Sequence, residues 1–380
     1  MLKAYKYRIY PTALQQIEFA KHFGCVRHVY NWALEQKIKT YDETKKSLSR
    51  KELQARLVQM KKNDKPWLKE VNSQSLLVAL LNVDVAYRNF FQGRAKFPKF
   101  KKKYDGHQSF QCPQHVTVNM AHSTLDLPKI KNVRVKLHRS FSGDIKTVTV
   151  KKVPSGKYFA SILVDDHQLL PKTTNIDPAK TIGLDMGLTH YIIDSNGHKQ
   201  DHPHYLRCGL KRLAKAQKQF SRHKKASKNR AKQKIEVAKI HEKVANQRYH
   251  FVHDLSAKLV FNNHETSFAV EDLHIKGMVK NRKLSRAIVD SGWRQFISAL
   301  TYKCEWSGNA LLTIKRFAAS SKTCHVCGVK RKELPLQMRE WQCECGVWHD
   351  RDVNAAKNIR AFALADALGH SVCVKQFPCS

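Results

Sequence analysis

The chain has 380 residues, of which 42% are hydrophobic and 26% are charged. This composition is typical of a globular protein with two or three domains and argues against extensive disorder. The 69 lysines and arginines outnumber the 31 acidic residues and give a formal net charge of +38. Because this charge is spread over the whole chain, it favours nucleic acid as the partner over an anionic membrane surface.

The sequence predicts a cytoplasmic protein without a membrane segment. No run of about 18 apolar residues is present, and the first residues lack the apolar core and cleavage site of a secretory signal. Four of the ten cysteines have metal-ligand spacing and the others are scattered, which fits a reducing compartment better than a disulfide framework.

The first half of the chain predicts a small β-barrel that carries a helical block. Residues 1–10 alternate basic and apolar side chains as a strand does, and Thr12 with Gln15 forms the capping-box pattern of a helix start. Helical spacing follows and recurs over 50–61 and 73–91. Alternation with a period of two predicts further strands at 116–118, 133–137, 147–153 and 158–164. The helices are therefore expected as an insertion after the first strand.

A basic and aromatic linker, 97–103, follows the helical block and contains Lys101, Lys102 and Lys103. One interpretation is a solvated loop. The other is a nucleic-acid contact, in which the two phenylalanines stack on bases and the lysines meet phosphates.

The second half predicts strands at 181–194, 267–272 and 311–315, with helices over 293–306 and 352–368. Between the first two lies a strongly basic stretch, 211–248, with fourteen lysines and arginines against two glutamates. Like charges at helical spacing destabilise a helix in water, so we expect a helix pair that lies against phosphates rather than a solvated face. The predicted contacts there are Lys211, Arg212, Lys215, Lys218, Arg222, Lys225 and Arg230.

Two close pairs of cysteines have the spacing of a structural zinc site: Cys324 with Cys327, and Cys343 with Cys345. The second pair is C-x-C rather than C-x-x-C, and this tighter spacing leaves His349 or His325 as alternative ligands. A redox pair or a chance cluster is the competing interpretation. A closed site with four protein ligands would stabilise the fold without taking part in catalysis.

Three acidic motifs lie far apart in the chain. Asp185 stands between two glycines in a predicted strand pair, Glu271 ends a later strand, and Asp352 begins the last helix. Alone, two of them have plainer interpretations: Asp185 as a turn carboxylate or the phosphate-side aspartate of an actin-like ATPase, and Glu271 as a solvated strand edge. The motif around Asp352 is more specific, because it places carboxylates at the start of a helix whose next turns are small and apolar. Together they match a site in which carboxylates hold two Mg²⁺ ions beside a phosphodiester.

Several segments resemble the TnpB family of transposon-encoded, RNA-guided DNA endonucleases, which are related to the compact type V CRISPR nucleases. The similarity covers nearly the whole chain. It rests on GLDMGL at 183–188, VEDLHIKGM at 270–278 and CHVCG…WQCECGVWHDRDVNAAKNI at 324–359, with support from KAYKYRIYPT, GCVRHVYNWAL, FPKFKKK and DSGWRQFISALTYKCEWSG.

The resemblance implies an α/β multidomain protein with an RNase H-like RuvC nuclease domain, a zinc-ribbon insertion, and a β-barrel wedge domain carrying a helical recognition insertion. The expected boundaries are 1–10 and 101–175 for the wedge domain, 11–100 for the helical insertion, 176–320 and 351–380 for the nuclease domain with its basic arm at 211–250, and 321–350 for the ribbon.

The resemblance also implies a catalytic triad of Asp185, Glu271 and Asp352 with two Mg²⁺ ions, and a structural Zn²⁺ on the four cysteines. Asp352 is preferred to Asp350 because the acid of the family precedes x-N-A-A. The implied partners are a guide RNA from the transposon end and double-stranded target DNA, in a monomer of the bacterial or archaeal cytoplasm.

Three other functions remain open at this level. A DDE-type transposase could join strands with the same three acids. A zinc-dependent DNA-binding regulator would not need the acids for catalysis. A sugar-kinase-like ATPase could use the glycine-flanked Asp185, although the charge of +38 argues against it.

Overall fold

The computed structural model describes residues 1–104, 108–173, 175–261, 267–335 and 337–369. The expected domain ranges also include the residues between and after these segments, which lie outside the described part. The chain divides into two compact units, Met1–Leu169 and Leu170–Ser380. Among the described helices, none has the length and apolar character needed to cross a bilayer.

The first unit is built on a seven-stranded antiparallel sheet. Its strands are β1 (Leu2–Tyr10), β2 (Gln108–Cys112), β3 (Thr117–Asn119), β4 (Thr124–Leu127), β5 (Ile130–Lys136), β6 (Asp144–Lys152) and β7 (Tyr158–Asp165). Their order is β2-β6-β7-β1-β5-β4-β3, so the N-terminal strand lies inside the sheet. The strands predicted from the sequence are confirmed, while β2 and β4 were not predicted.

Three helices are inserted between the first two strands: α1 (Ala13–Thr44), α2 (Arg50–Lys62) and α3 (Ser73–Phe91). The predicted capping box is present, since Thr12 accepts from the backbone of Gln15 and the Gln15 side chain accepts from the backbone of Thr12. Phe19 and Phe23 of α1 contact Phe110 of the sheet, with ring centroids 5.8 and 5.4 Å apart. The helical block and the sheet thus share one core, and the helices follow the first strand in the order that the sequence predicts.

The second unit contains a five-stranded mixed sheet in the order β10-β9-β8-β11-β12. Its strands are β8 (Thr181–Met186), β9 (His190–Asp194), β10 (Lys199–Asp201), β11 (Ser267–Glu271) and β12 (Ala310–Ile314). β8, β11 and β12 run parallel, whereas β9 and β10 are antiparallel to their neighbours. The described helices are α4 (Tyr205–Arg222), α5 (Lys228–Phe261), α6 (Ile275–Met278), α7 (Ser285–Ser291), α8 (Trp293–Ser307) and α9 (Arg351–Leu368).

The two faces of this sheet are covered by different helices. Ile182, Leu184 and Phe268 point to a core shared with α5 and α8. Ala269 points to the other face and packs against Ile359 of α9. Because side chains alternate along a strand, Gly183 and Asp185 share the face that α9 covers.

Gly183 allows α9 to approach β8 closely. A Cβ atom on this residue would overlap the carbonyl oxygen of Ala356 and lie 2.8 Å from the Arg360 nitrogen. Backbone atoms of a helix cannot move aside as the end of a flexible side chain can, so the position requires glycine.

We therefore expect Gly183→Ala to destabilise the second unit by about 1–3 kcal/mol or more, because overpacking must push α9 away from the sheet. Thermal unfolding measures the change. Gly24→Ala is the control, because its new methyl group would meet no atom within 4 Å on α1, and alanine favours a helix. Equal melting temperatures for the two variants would contradict this packing argument.

Candidate active site and metal cluster

Two of the three predicted acids lie side by side at the ends of adjacent parallel strands. Leu184 of β8 is paired with Val270 of β11. The next residues along the two strands are Asp185 and Glu271, and both lie on the face that α9 covers. The parallel register, which the sequence alone does not show, thus makes neighbours of residues 86 positions apart.

The third acid comes from the first turn of α9. Asp352, Ala356, Ile359 and Ala363 follow one another at helical spacing. Ala356 meets Gly183 and Ile359 packs on the sheet, so the same face of the helix directs Asp352 towards the strand ends. The structure therefore brings Asp185, Glu271 and Asp352 together.

The electrostatics of Asp185 report this convergence. Its pKa is raised to about 8, first by burial of the carboxyl group and then by the negative charges of Glu271 and Asp352. A backbone hydrogen bond at Met186 and the positive charge of Arg351 oppose the rise. At neutral pH and without a cation, Asp185 therefore retains its proton, and a bound divalent cation would compete with that proton.

The other two acids are oriented by polar neighbours. Ser320 donates from Oγ to Glu271 Oε1 at 2.7 Å. Arg339 contacts both carboxylate oxygens of Asp352, at 3.4 and 3.3 Å. Sequence reasoning missed both residues, because a serine and an arginine in a loop carry no signal until the loop is seen beside the acids.

Asp350 has a different role from Asp352. It is the N-cap of α9, and its Oδ1 accepts from the backbone of Asp352 and Val353 at 3.0 Å each. Its Oδ2 pairs with Lys199. Both oxygens are therefore occupied in starting the helix, whereas Asp352 faces the other acids.

The four predicted cysteines converge in a separate cluster, with ligand atoms all within 4.8 Å of one another: Cys324, Cys327, Cys343 and Cys345. The Cys324–Cys345 and Cys327–Cys343 sulfur pairs are 3.8 and 3.5 Å apart. Tetrahedral Zn–S bonds of about 2.3 Å place sulfurs roughly 3.8 Å apart, so the spacing fits one zinc ion.

The C-x-C pair closes its turn in the same way as the C-x-x-C pair. Cys324 donates its N–H to Val329, five residues on, and Cys343 donates to Val347, four residues on. Gly328 and Gly346 hold the positive φ angles of 78° and 85° that these turns require. The second turn is one residue shorter, yet it still directs Cys345 into the cluster.

Neither histidine replaces a cysteine in this geometry. His349 is buried, and its Nε2 lies 3.0 Å from Cys324 Sγ, where it can orient that sulfur. His325 turns away, with Nδ1 3.0 Å from Asn354 Oδ1.

Two asparagines of α9 join the cysteine cluster to the acids. Asn354 donates to the carbonyl of Thr323 at 2.8 Å, and Asn358 donates to that of Ser320 at 2.7 Å. Ser320 in turn contacts Glu271. The N-A-A-K-N pattern thus has a physical explanation: alanines allow contact with the sheet, and asparagines fix the segment that enters the cluster.

The predicted nucleic-acid contacts differ in their surroundings. Lys101 lies with its Nζ 3.9 Å from the centre of the Tyr30 ring, and Lys102 and Lys103 are exposed. Lys225 is exposed after α4, whereas Arg230 donates to the Phe220 and His223 carbonyls and therefore joins the two helices.

The exposed basic residues of α4 form one stripe. Lys211, Lys215, Lys218 and Arg222 recur at intervals of three and four and share a helix face, with Arg212 beside them. Leu213 and Ala216 are buried on the opposite side. The predicted helix pair is confirmed, and all the charged side chains of α4 are cationic.

Three family models match the chain. Residues 161–282 match the OrfB_IS605 model, described as a probable transposase, and 293–359 match the Cas12f1-like TNB domain. Residues 1–46 match a helix-turn-helix domain, although in the structure they form strand β1 and the single helix α1.

Similar proteins cover almost the whole chain. A Streptomyces pristinaespiralis protein, named as an RNA-guided DNA endonuclease, is 38% identical over 96% of this chain and 90% of its own length. InsQ of Escherichia coli K12, named in the same way, is 31% identical over 98% and 93%. A solved Cas12f1–sgRNA–target DNA complex has a protein with the same fold, with a TM-score of 0.57 and 12% identity over 95% of this chain and 98% of that one. The chain therefore belongs to the TnpB family of RNA-guided DNA endonucleases.

Proposed function

We propose that this chain hydrolyses phosphodiester bonds of target DNA paired to a guide RNA, at the site formed by Asp185, Glu271 and Asp352. The convergence of these three carboxylates from β8, β11 and α9 carries the proposal. A purely structural role does not explain why a fold would place three acids at one end of a sheet, where the charges of Glu271 and Asp352 disfavour ionisation of Asp185.

The donor set fits Mg²⁺, which prefers hard oxygen ligands. Asp185, Glu271 and Asp352 would hold two such ions, which when bound supply an activated water and stabilise the leaving oxygen. Ser320 fixes the orientation of Glu271, and Arg339 holds the carboxylate of Asp352. The residues of the chain thus preorganise the site before substrate arrives.

The cysteine cluster fits a structural zinc ion, because its four sulfurs have tetrahedral spacing and leave no position for a substrate. We assign it to a ribbon at 321–350. Its supporting role follows from Asn354 and Asn358, which tie the start of this ribbon to the helix that bears Asp352.

The proposed partners are a guide RNA from the transposon end and double-stranded DNA. The net charge of +38 supports a large polyanion, and RNA guidance is supported by the names of the relatives and by the sgRNA and target DNA in the solved Cas12f1 complex. We further propose a RuvC-type nuclease domain at 176–320 and 351–380, a barrel wedge at 1–10 and 101–175 with its helical insertion at 11–100, and a cytoplasmic monomer.

The acids can be tested with nearly isosteric neutral variants. We expect Asp185→Asn, Glu271→Gln and Asp352→Asn each to reduce DNA cleavage by about three orders of magnitude or more, since the residues act as a unit. Guide-RNA and DNA binding should persist, as filter binding would show. Asp272→Asn is the control, because this neighbouring acid is exposed and pairs with Arg316. Loss of binding together with cleavage would make the acids structural.

The cysteine cluster can be tested by ligand removal. We expect Cys324→Ser to remove the zinc ion and lower the melting temperature by at least about 5 °C, because metal binding is coupled to folding. Zinc content and thermal unfolding are the measurements. Cys208→Ser, at an exposed cysteine outside the cluster, should change neither. A variant that loses zinc without loss of stability would refute the structural role.

The basic stripe can be tested through salt dependence. Replacement of Lys211, Lys215, Lys218 and Arg222 by glutamine should flatten the slope of log affinity for guide RNA against log salt, by up to about 0.7–0.9 per lost phosphate contact. Arg230→Gln should instead lower thermal stability, since it breaks the bonds to α4. An unchanged slope in the fourfold variant would place the RNA on another surface.

A further inference from the structure

A phenylalanine stands in an unusual position beyond the end of β12. Phe317 is 89% exposed and has a φ angle of +67°. Bulky residues rarely adopt this left-handed conformation, and a large apolar ring gains nothing from water. The ring is therefore not part of the core, and the backbone at Phe317 nevertheless keeps a conformation that costs free energy.

The turn that presents the ring is hydrogen-bonded. Ala318 donates its N–H to the Lys315 carbonyl at 3.2 Å, so Phe317 is the third residue of a four-residue turn. A positive φ at this place is usually supplied by glycine or asparagine. Strained residues of this kind concentrate at functional sites, where the strain serves to position a group.

This turn lies beside the proposed active site. Ile314, the last residue of β12, is paired with Glu271, and Phe317 follows it by three residues, or about 11 Å of extended chain at most. Further along the same loop, Ser320 donates to Glu271. The loop therefore connects the exposed ring to a carboxylate of the site through a short and hydrogen-bonded segment.

The neighbours of Phe317 suit a nucleic acid. The side chains of Lys315 and Arg316 are 85% and 44% exposed; Lys315 lies 3.7 Å from Asp366, and Arg316 pairs with Asp272. An exposed aromatic face can stack on a base, and an exposed lysine such as Lys315 can exchange its carboxylate partner for a phosphate. In a duplex the base faces are covered by their neighbours, so the ring selects an unpaired, unstacked strand.

We propose that Phe317 stacks on a base of single-stranded DNA and thereby positions the adjoining phosphodiester at the acids. It is a positioning residue that acts on the substrate strand. The inference rests on the proposed nuclease function and adds a residue to it: one base of the substrate strand is held on Phe317, close to the bond that is cut.

The test is a double-mutant cycle in which one change is made in the protein and the other in the DNA substrate. Phe317→Gly removes the ring and relaxes the turn, so the variant should melt at the wild-type temperature or higher. In the guide-RNA complex we expect it to cut target DNA about ten-fold more slowly. Target DNAs with single abasic sites, scanned across the nucleotides that flank each cut, should include one that slows the wild-type complex to a similar extent.

The two changes should not multiply at that position. If ring and base contact each other, Phe317→Gly cuts the abasic DNA no more slowly than it cuts intact DNA. Independent effects would instead make it about a hundred-fold slower than the wild-type complex on intact DNA. Phe317→Tyr should restore the wild-type rate. Phe261→Ala is the matched control and should cut normally, because this exposed phenylalanine ends α5 and precedes the N-terminal end of β11, whereas Glu271 lies at the C-terminal end.

A wild-type rate for Phe317→Gly, or multiplicative losses at every abasic position, would overturn the proposal and leave the nuclease function standing. A lower melting temperature for Phe317→Gly would also overturn it, since the ring would then be structural. If the wild-type complex does not cut and behaves like Asp185→Asn, the nuclease function itself fails.

Discussion

The close contact between α9 and β8 is the constraint on which the proposed site depends. Asp185 lies near two other acids, and its pKa is raised to about 8, first by burial and then by repulsion from Glu271 and Asp352. Packing energy opposes this repulsion: Gly183 lets the helix backbone touch the strand, and Ala269 and Ile359 fill the space beside it. A cation would then be attracted to a site that already exists, rather than having to assemble it.

Hydrogen bonds connect the segment that leads into the cysteine cluster to the helix and the strand that carry the acids. The Asn354 and Asn358 side chains are buried and donate to the carbonyls of Thr323 and Ser320. Buried amides that lost these partners would destabilise the fold, so the ribbon start and α9 hold each other in place. A zinc ion held by the cysteines would therefore support the geometry of Glu271 through Ser320 without taking part in the reaction.

The basic residues of the second unit have two different roles. Most of the α4 arginines and lysines point to solvent on one face, where a polyanion could neutralise them, while Arg230 satisfies carbonyl groups at the end of α4. Composition predicts the overall excess of positive charge, but it cannot separate these uses, because the residues carry the same charge and lie in the same basic run.

The sequence by itself determined the types of most elements, the helices that follow β1, the two cysteine pairs and the three acidic motifs. Periodicity, capping residues and ligand spacing are local properties, and local chemistry specifies them. Only the tertiary structure decided that Asp185 and Glu271 are neighbours, that Asp350 caps the helix while Asp352 faces them, and that Cys345 reaches the cluster despite its shorter turn. Each depends on strand register or on packing between distant segments, which no local pattern records. The position of Phe317 belongs to the same class, because neither its exposure nor its backbone angle can be inferred from an isolated phenylalanine in a loop.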